Sequence, residues 1–147
     1  MRILLVEDDP ILALTAASQL TAAGHEVAGP AYDVAEAMRL AGEACADLAL
    51  VDINLAGCDE GIGLARQLRD QHGIASLFVS GQLVVARNSG DAAVGLLRKP
   101  YRPDDLNRSI LIVEALLQGH EPSGALPVAL ELFHTGRNAA GQGNDAN

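Results

Sequence analysis

Lysine is nearly missing from this chain: nine of its ten basic residues are arginine, and Lys99 is the single ammonium side chain. Lysine is ordinarily among the commonest residues. One ammonium kept directly before Pro100 marks a place where a compact point charge is wanted rather than a guanidinium fork. Positive charge of either kind is scarce, with ten basic against nineteen acidic residues and a net charge of −9. That balance argues against a phosphate backbone as ligand, and so against nucleic acid as a direct partner. Cysteine is scarce too: Cys45 and Cys58 form no CxxC and no metal-ligand cluster, which suits a reducing compartment. Long apolar runs are missing. Ile3–Val6 meets Glu7-Asp8-Asp9 after four residues, short of the ~7–15 that a secretion signal needs. Nothing approaches the ~18–20 that cross a bilayer. A cytoplasmic location with no membrane contact is the expectation. The glycines make no GxGxxG, and Lys99 follows Leu97-Arg98 rather than glycine, which excludes a P-loop.

What the chain does have, in 147 residues, is a single folded unit's worth of alternating strand-like runs and helix-period stretches. Arg2–Val6 reads as a strand, and Ile11, Leu14, Ser18 and Leu20 to Ala23 as a helix closed by Gly24. Val27-Ala28 is a short strand, and Asp33 with Glu36 resembles a capping box opening a helix to about Cys45. Leu48–Val51 is a continuous apolar run expected of a strand covered on both faces. A helix near Gly61–Gln71 ends at His72-Gly73, and Leu77–Val79 and Val94–Leu97 supply two more strands. Between them Asn88-Ser89-Gly90 leaves room for only a short helix. Pro103-Asp104-Asp105 opens a last helix to about Leu117. Five βα units predict an α/β, doubly wound parallel sheet with helices on both faces. The domain is placed at residues 1–118. Residues 119–147 read as an extension with one apolar patch, Leu126–Phe133, and an end rich in Gly, Asn and Ala from Gly136 that is expected to be disordered.

In an open α/β sheet, ligands gather outside the carboxyl ends of the strands. Those ends present Glu7-Asp8-Asp9, Asp52, Ser80 and Lys99. Carboxylates a few ångströms apart raise one another's pKa unless a cation sits among them, so Glu7, Asp8 and Asp52 imply a hard divalent ion, best Mg²⁺. A carboxylate beside such an ion can act as a nucleophile in phosphoryl transfer. The transferring group also needs positive or hydroxyl donors on its other side, which Lys99 and Ser80 supply.

With these residues in view, the chain resembles the receiver domains of two-component response regulators. The resemblance runs from Arg2 to about Leu117. It is carried by Ile3-Leu4-Leu5-Val6-Glu7-Asp8-Asp9-Pro10, Leu50-Val51-Asp52-Ile53-Asn54-Leu55, Val79-Ser80-Gly81 and Arg98-Lys99-Pro100-Tyr101. It implies a (βα)5 flavodoxin-like sheet with strand order 2-1-3-4-5. It further implies that Asp52 accepts phosphate from a histidine kinase or phosphotransfer protein. Glu7, Asp8 and Asp52 would hold Mg²⁺ together with the backbone carbonyl of Asn54, while Ser80 and Lys99 would bind the phosphoryl oxygens. Asp9 has no such role and is expected to face solvent or cap the first helix. Two features depart from the family: Leu96 stands where an aromatic switch residue is usual, three before the lysine, and the fourth helix is short. The signal is therefore expected to leave through loop ordering or the first or last helix.

The reading is a stand-alone receiver, not an enzyme beyond phosphorylation and dephosphorylation of its own Asp52, which signals through an unidentified downstream protein. Leu111, Ile112, Ala115 and Leu116 extend apolar character around the last helix, giving either a homodimer face or a surface covered by Leu126–Phe133. Two rivals remain: a receiver-shaped binding domain that signals without phosphate, and a haloacid-dehalogenase-like phosphatase. The second wants Asp-x-Asp on the first strand, whereas here Asp52-Ile53-Asn54 lies on the third. His25, His72, His120 and His134 lack metal spacing and read as surface or turn residues, and Cys58 as a spectator thiol.

Overall fold

Residues 1–55, 57 and 59–133 are described by the structure, a computed structural model. Cys58, His134 and the segment expected to be disordered from Gly136 lie outside the described residues. Strands β1 (Arg2–Val6) and β3 (Leu48–Asp52) carry unbroken apolar runs and are buried at every position except Arg2, as strands covered on both faces must be. They pair with β2 (Glu26–Ala31), β4 (Ala75–Ser80) and β5 (Gly95–Arg98) in the order β2-β1-β3-β4-β5, all parallel. The doubly wound sheet expected from the alternation is thus present.

Side chains alternate across this sheet with period two. Ile3, Leu5, Leu50 and Leu77 face α1 (Pro10–Ala22) and α5 (Pro103–Leu117), whose Leu20, Leu106, Ile110 and Val113 complete one core. Leu4, Val6, Val51, Phe78 and Leu96 face the other way. There they join residues of α2 (Val34–Ala44), α3 (Glu60–His72) and α4 (Leu83–Asn88) in a second core. The caps follow the sequence signals. Asp9 accepts from the N–H of Ile11 and Leu12, Asp33 from the N–H of Glu36, and Asp105 from the N–H of Arg102. Gly73, at φ +66°, closes α3 with its N–H donating to Arg69 O.

Helix α1 buries a face other than the one its large apolar residues suggest, whereas α5 keeps most of its core period. In α1 the buried positions are Ala13, Ala16 and Leu20, while Ile11, Leu12 and Leu14 stand 76%, 45% and 60% exposed. The helix has no charged residue, so nothing but apolar and small polar groups covers its outer side. In α5, Ile112 is buried with Leu106, Ile110 and Val113, but Leu111 and Leu117 remain exposed.

The boundary expected at residue 118 does not end the sheet. Beyond α5 the chain runs back along that helix, where Arg108 donates to the carbonyls of Ser123 and Ala125. It then adds β6 (Leu130–Leu132), antiparallel, to the free edge of β5. Gly95 admits this strand: a Cβ there would lie 2.6 Å from the carbonyl oxygen of Glu131. Ala129 and Leu130 enter the core beside α5, whereas Phe133 packs on the opposite face. The apolar patch thus covers α5 in part and extends the sheet as well. Its three-residue strand is too short to show a period in sequence. No helix among the described residues is long and apolar enough to cross a membrane.

Candidate functional site

Parallel strands put the carboxyl ends of β1, β3, β4 and β5 at one edge, and the order reverses between β1 and β3, which opens a crevice there. Glu7 and Asp8 follow β1, Asp52 ends β3, Ser80 ends β4 and Lys99 follows β5. All five, with Asn54, line one cavity of about 380 Å³. Residues spread over more than ninety positions of chain therefore meet because the topology repeats, not because the sequence brings them close.

Lys99 is the hub. Its Nζ donates to Glu7 Oε1 at 2.8 Å and lies 3.6 Å from Asp52 Oδ2. The other Glu7 oxygen accepts from the Asp9 N–H at 3.2 Å, and Asp52 Oδ1 accepts from the Asn54 N–H at 3.1 Å. Ser80 Oγ accepts from the Gln82 N–H at 2.9 Å, and its carbonyl accepts from the Lys99 N–H. Glu7, Asp52 and Ser80 are buried. Asp9, as expected, caps α1 with its side chain, and it also lines the rim of the same cavity. Asn54 lines the cavity and orients Asp52 through its backbone.

Burial, chiefly, pushes the Glu7 carboxyl up to about 7; the neighbouring Asp52 adds to the rise and the Lys99 hydrogen bond opposes it. At Lys99 burial works against the ammonium. The hydrogen bond to Glu7 and the charges of Asp52 and Glu7 outweigh it, so its pKa stands above the usual lysine value. Ligand oxygens of Glu7, Asp8 and Asp52 lie within 4.8 Å of one another. An all-oxygen set that suffers from its own like charge is what a hard divalent cation relieves, so these residues fit Mg²⁺.

The raised Glu7 gives a pH prediction. Between its ordinary value of 4.5 and about 7 the folded protein holds a proton that the unfolded chain has released. Metal-free stability therefore falls as pH rises through that window. Mg²⁺ competes with the same proton. Its addition is expected to raise the thermal midpoint clearly at about pH 8 and little at about pH 5.5. Calorimetry in EDTA and in Mg²⁺ at both pH values checks this, and an equal gain at the two would remove Glu7 from the metal's surroundings.

One contributor to the site had no signal in the sequence. Gly61, in the first turn of α3, donates its N–H to Ile53 O and lies directly on the backbone of Asp52. A Cβ there would collide with the Asp52 carbonyl oxygen. A glycine in a helix's first turn reads as a weak helix former until the strand beneath it is known.

A second, more apolar groove of about 430 Å³ runs from Glu7 and Lys99 along α1, lined by Leu12, Thr15, Gln19, Pro100 and Tyr101. It was not legible from the motifs, because Leu12 and Gln19 had no assigned partner.

The chain is similar to known proteins in both sequence and fold. The family description "Response regulator receiver domain" matches residues 3–111. The aerobic respiration control protein ArcA of Escherichia coli (strain K12) is 35% identical over 111 residues, which cover 71% of this chain and 44% of that protein. The chain thus spans less than half the length of the curated relatives it matches. Among solved structures, the signal receiver domain of a modulated diguanylate cyclase from Desulfovibrio desulfuricans G20 superposes with a TM-score of 0.71 at 32% identity. That match covers 80% of this chain and 95% of the other. The receiver domain of NtrX from Brucella abortus gives 0.68 at 28% identity, over 79% and 98% of the two chains.

Proposed function

The chain belongs to the response regulator receiver family, and from that premise we propose that Asp52 is its phosphoacceptor, within a receiver unit spanning residues 1–118. The observation that carries this reading is the meeting of Asp52 with Glu7, Asp8, Ser80 and Lys99 around one cavity. Receiver domains of response regulators are phosphorylated by histidine kinases and act as signalling modules. An Asp52 carboxylate oxygen attacks the phosphorus of a phosphohistidine, on a kinase or a phosphotransfer protein. The P–N bond breaks with its electron pair going to the imidazole, and an acyl phosphate remains on Asp52. Lys99 meets the added negative charge, and the Ser80 hydroxyl donates to a phosphoryl oxygen. Mg²⁺, held by Glu7, Asp8, Asp52 and the Asn54 carbonyl, would supply further neutralising charge at those oxygens. Water later attacks phosphorus and returns the carboxylate. Gln82 lines the cavity, and its role in this reading would be to govern that water's access.

Incubation with acetyl phosphate and Mg²⁺, followed by intact mass, tests this. A single added phosphoryl group is expected. An unchanged mass would favour a receiver-shaped domain that signals without phosphate, and turnover of a generic phosphate ester would favour a hydrolase.

The groove beside Lys99 and the uncharged outer side of α1 offer a donor helix an apolar bed next to the cavity. Leu14→Asp places a charge on that bed at an exposed position. Transfer from a phosphohistidine partner is expected to slow about tenfold or more, as for loss of a good contact. Labelling by acetyl phosphate, which needs no bed, is expected to stay unchanged. Equal slowing of both would place Leu14 in the fold rather than in docking.

The proposed output is a protein–protein contact. A homodimer through α5 would rest on the exposed Leu111 and Leu117, because Ile112 is buried and Arg108 is engaged by residues 123–125. A gel-filtration mass that stays monomeric with and without acetyl phosphate would remove such a dimer.

A further inference from the structure

The aromatic residue missing at position 96 has a counterpart elsewhere: Phe133, just past β6, packs into the same core as Leu96. It also touches the turn that follows α4, where a Cβ on Gly90 would sit 3.4 Å from its ring. A second tie joins the same two elements. Arg87 of α4 makes a two-pronged ion pair with Glu131 of β6, at 2.8 Å for each of its two nitrogens. Glu131 is in turn the register partner of Leu96. Helix α4 is therefore fastened on its outer side to a strand that the five-unit fold does not require.

On its inner side α4 begins at the proposed phosphoryl site. Gln82 is its N-cap, and the Gln82 N–H donates to Ser80 Oγ. The helix is six residues long, lacks a side-chain cap and buries only Ala86 fully, so its position costs little to change. Resting on the receiver reading, we propose that β6 is the element that reports occupancy of the Asp52 site, through Ser80, α4 and the Arg87–Glu131 pair.

The direction follows from strand order. Asp52 is on β3, Ser80 on β4, and β6 lies two strands beyond β4 on the far side. A hydroxyl drawn toward a phosphoryl group on Asp52 moves the start of α4 inward, away from β6. That motion stretches the Arg87–Glu131 pair and withdraws Gly90 from Phe133. β6 is held to β5 by only three register pairs, flanked by the Phe133 N–H to Val94 O and the Arg98 N–H to Ala129 O bonds. It loosens when its outer tie weakens.

Amide hydrogen exchange on the full chain tests this, with beryllium fluoride and Mg²⁺ as the phosphoryl mimic. Exchange at the Phe133 and Arg98 amides is expected to accelerate at least about threefold on adding the mimic, while the loop after Asp52 becomes protected. In Glu131→Ala the β6 response is expected to disappear with the Asp52 loop still responding. The exchanged pair Arg87→Glu with Glu131→Arg is expected to restore it, which a merely structural role for either residue would not do. Protection at the Asp52 loop with β6 exchange unchanged in the unaltered chain overturns the proposal, as does a full β6 response in Glu131→Ala. No change at the Asp52 loop overturns the assignment of Asp52 as the phosphoryl site, and this inference with it.

Discussion

Asp52→Asn is expected to abolish phosphoryl labelling by acetyl phosphate and by a phosphohistidine donor alike, with no added mass detectable after incubation that labels the unaltered chain to completion. An amide oxygen is not a nucleophile toward phosphorus at neutral pH, whereas a carboxylate is. Glu7, its nearest carboxylate neighbour at Lys99, is engaged on both oxygens, one bonded to Lys99 and the other to the Asp9 N–H. The fold is expected to survive, because the substitution keeps the side chain's size and leaves an oxygen for the Asn54 N–H. An unchanged thermal midpoint together with lost labelling places the effect in chemistry. Residual labelling at the same rate would move the acceptor elsewhere and remove the central assignment.

Gly61→Ala is expected to be the most destabilising single-methyl change in the site. The added Cβ would lie 2.6 Å from the Ile53 Cα and 2.9 Å from the Asp52 carbonyl carbon, as well as striking the Asp52 oxygen. All three are backbone atoms, so no side chain can rotate out of the way. Either α3 lifts off β3 or the end of β3 shifts. Overpacking of this kind costs about 3 kcal/mol, or a midpoint lowered by roughly 10 °C for a domain of this size. Because the backbone that moves is that of Asp52, labelling is expected to fall as well. Gly63→Ala is the matched control. It lies two residues on in the same helix, a Cβ there meets nothing within 4 Å, and the change is expected to add about 0.5–1 kcal/mol through helix propensity. Equal midpoints for the two variants would show that α3 does not press on the acceptor.

The parallel sheet and the candidate site were legible in the chain because both rest on local pattern. Buried strands such as Leu48–Val51 announce themselves by unbroken apolar runs. Glu7, Asp8, Asp52, Ser80 and Lys99 then follow such strands at equivalent points, and a parallel sheet carries equivalent points to one edge. Asp9, Asp33 and Gly73 were legible for the same reason, since a cap acts within one turn of chain.

What sequence could not decide depends on contacts between distant backbones and on which side of an element faces the core. In α1 the large residues Ile11 and Leu14 look like a core face, but the close approach of α1 to the sheet is made by Ala13 and Ala16. Gly61 and Gly95 are unremarkable glycines until β3 lies beneath one and β6 beside the other. β6 itself has too few residues to show a period and exists because β5 leaves an open edge for it. Composition, caps and strand-end chemistry are properties of short stretches, and the sequence by itself determined them. The pairing of β6, the burden on Gly61 and the tie from α4 to Glu131 arise only when segments far apart in the chain are packed together, so tertiary structure alone decided them.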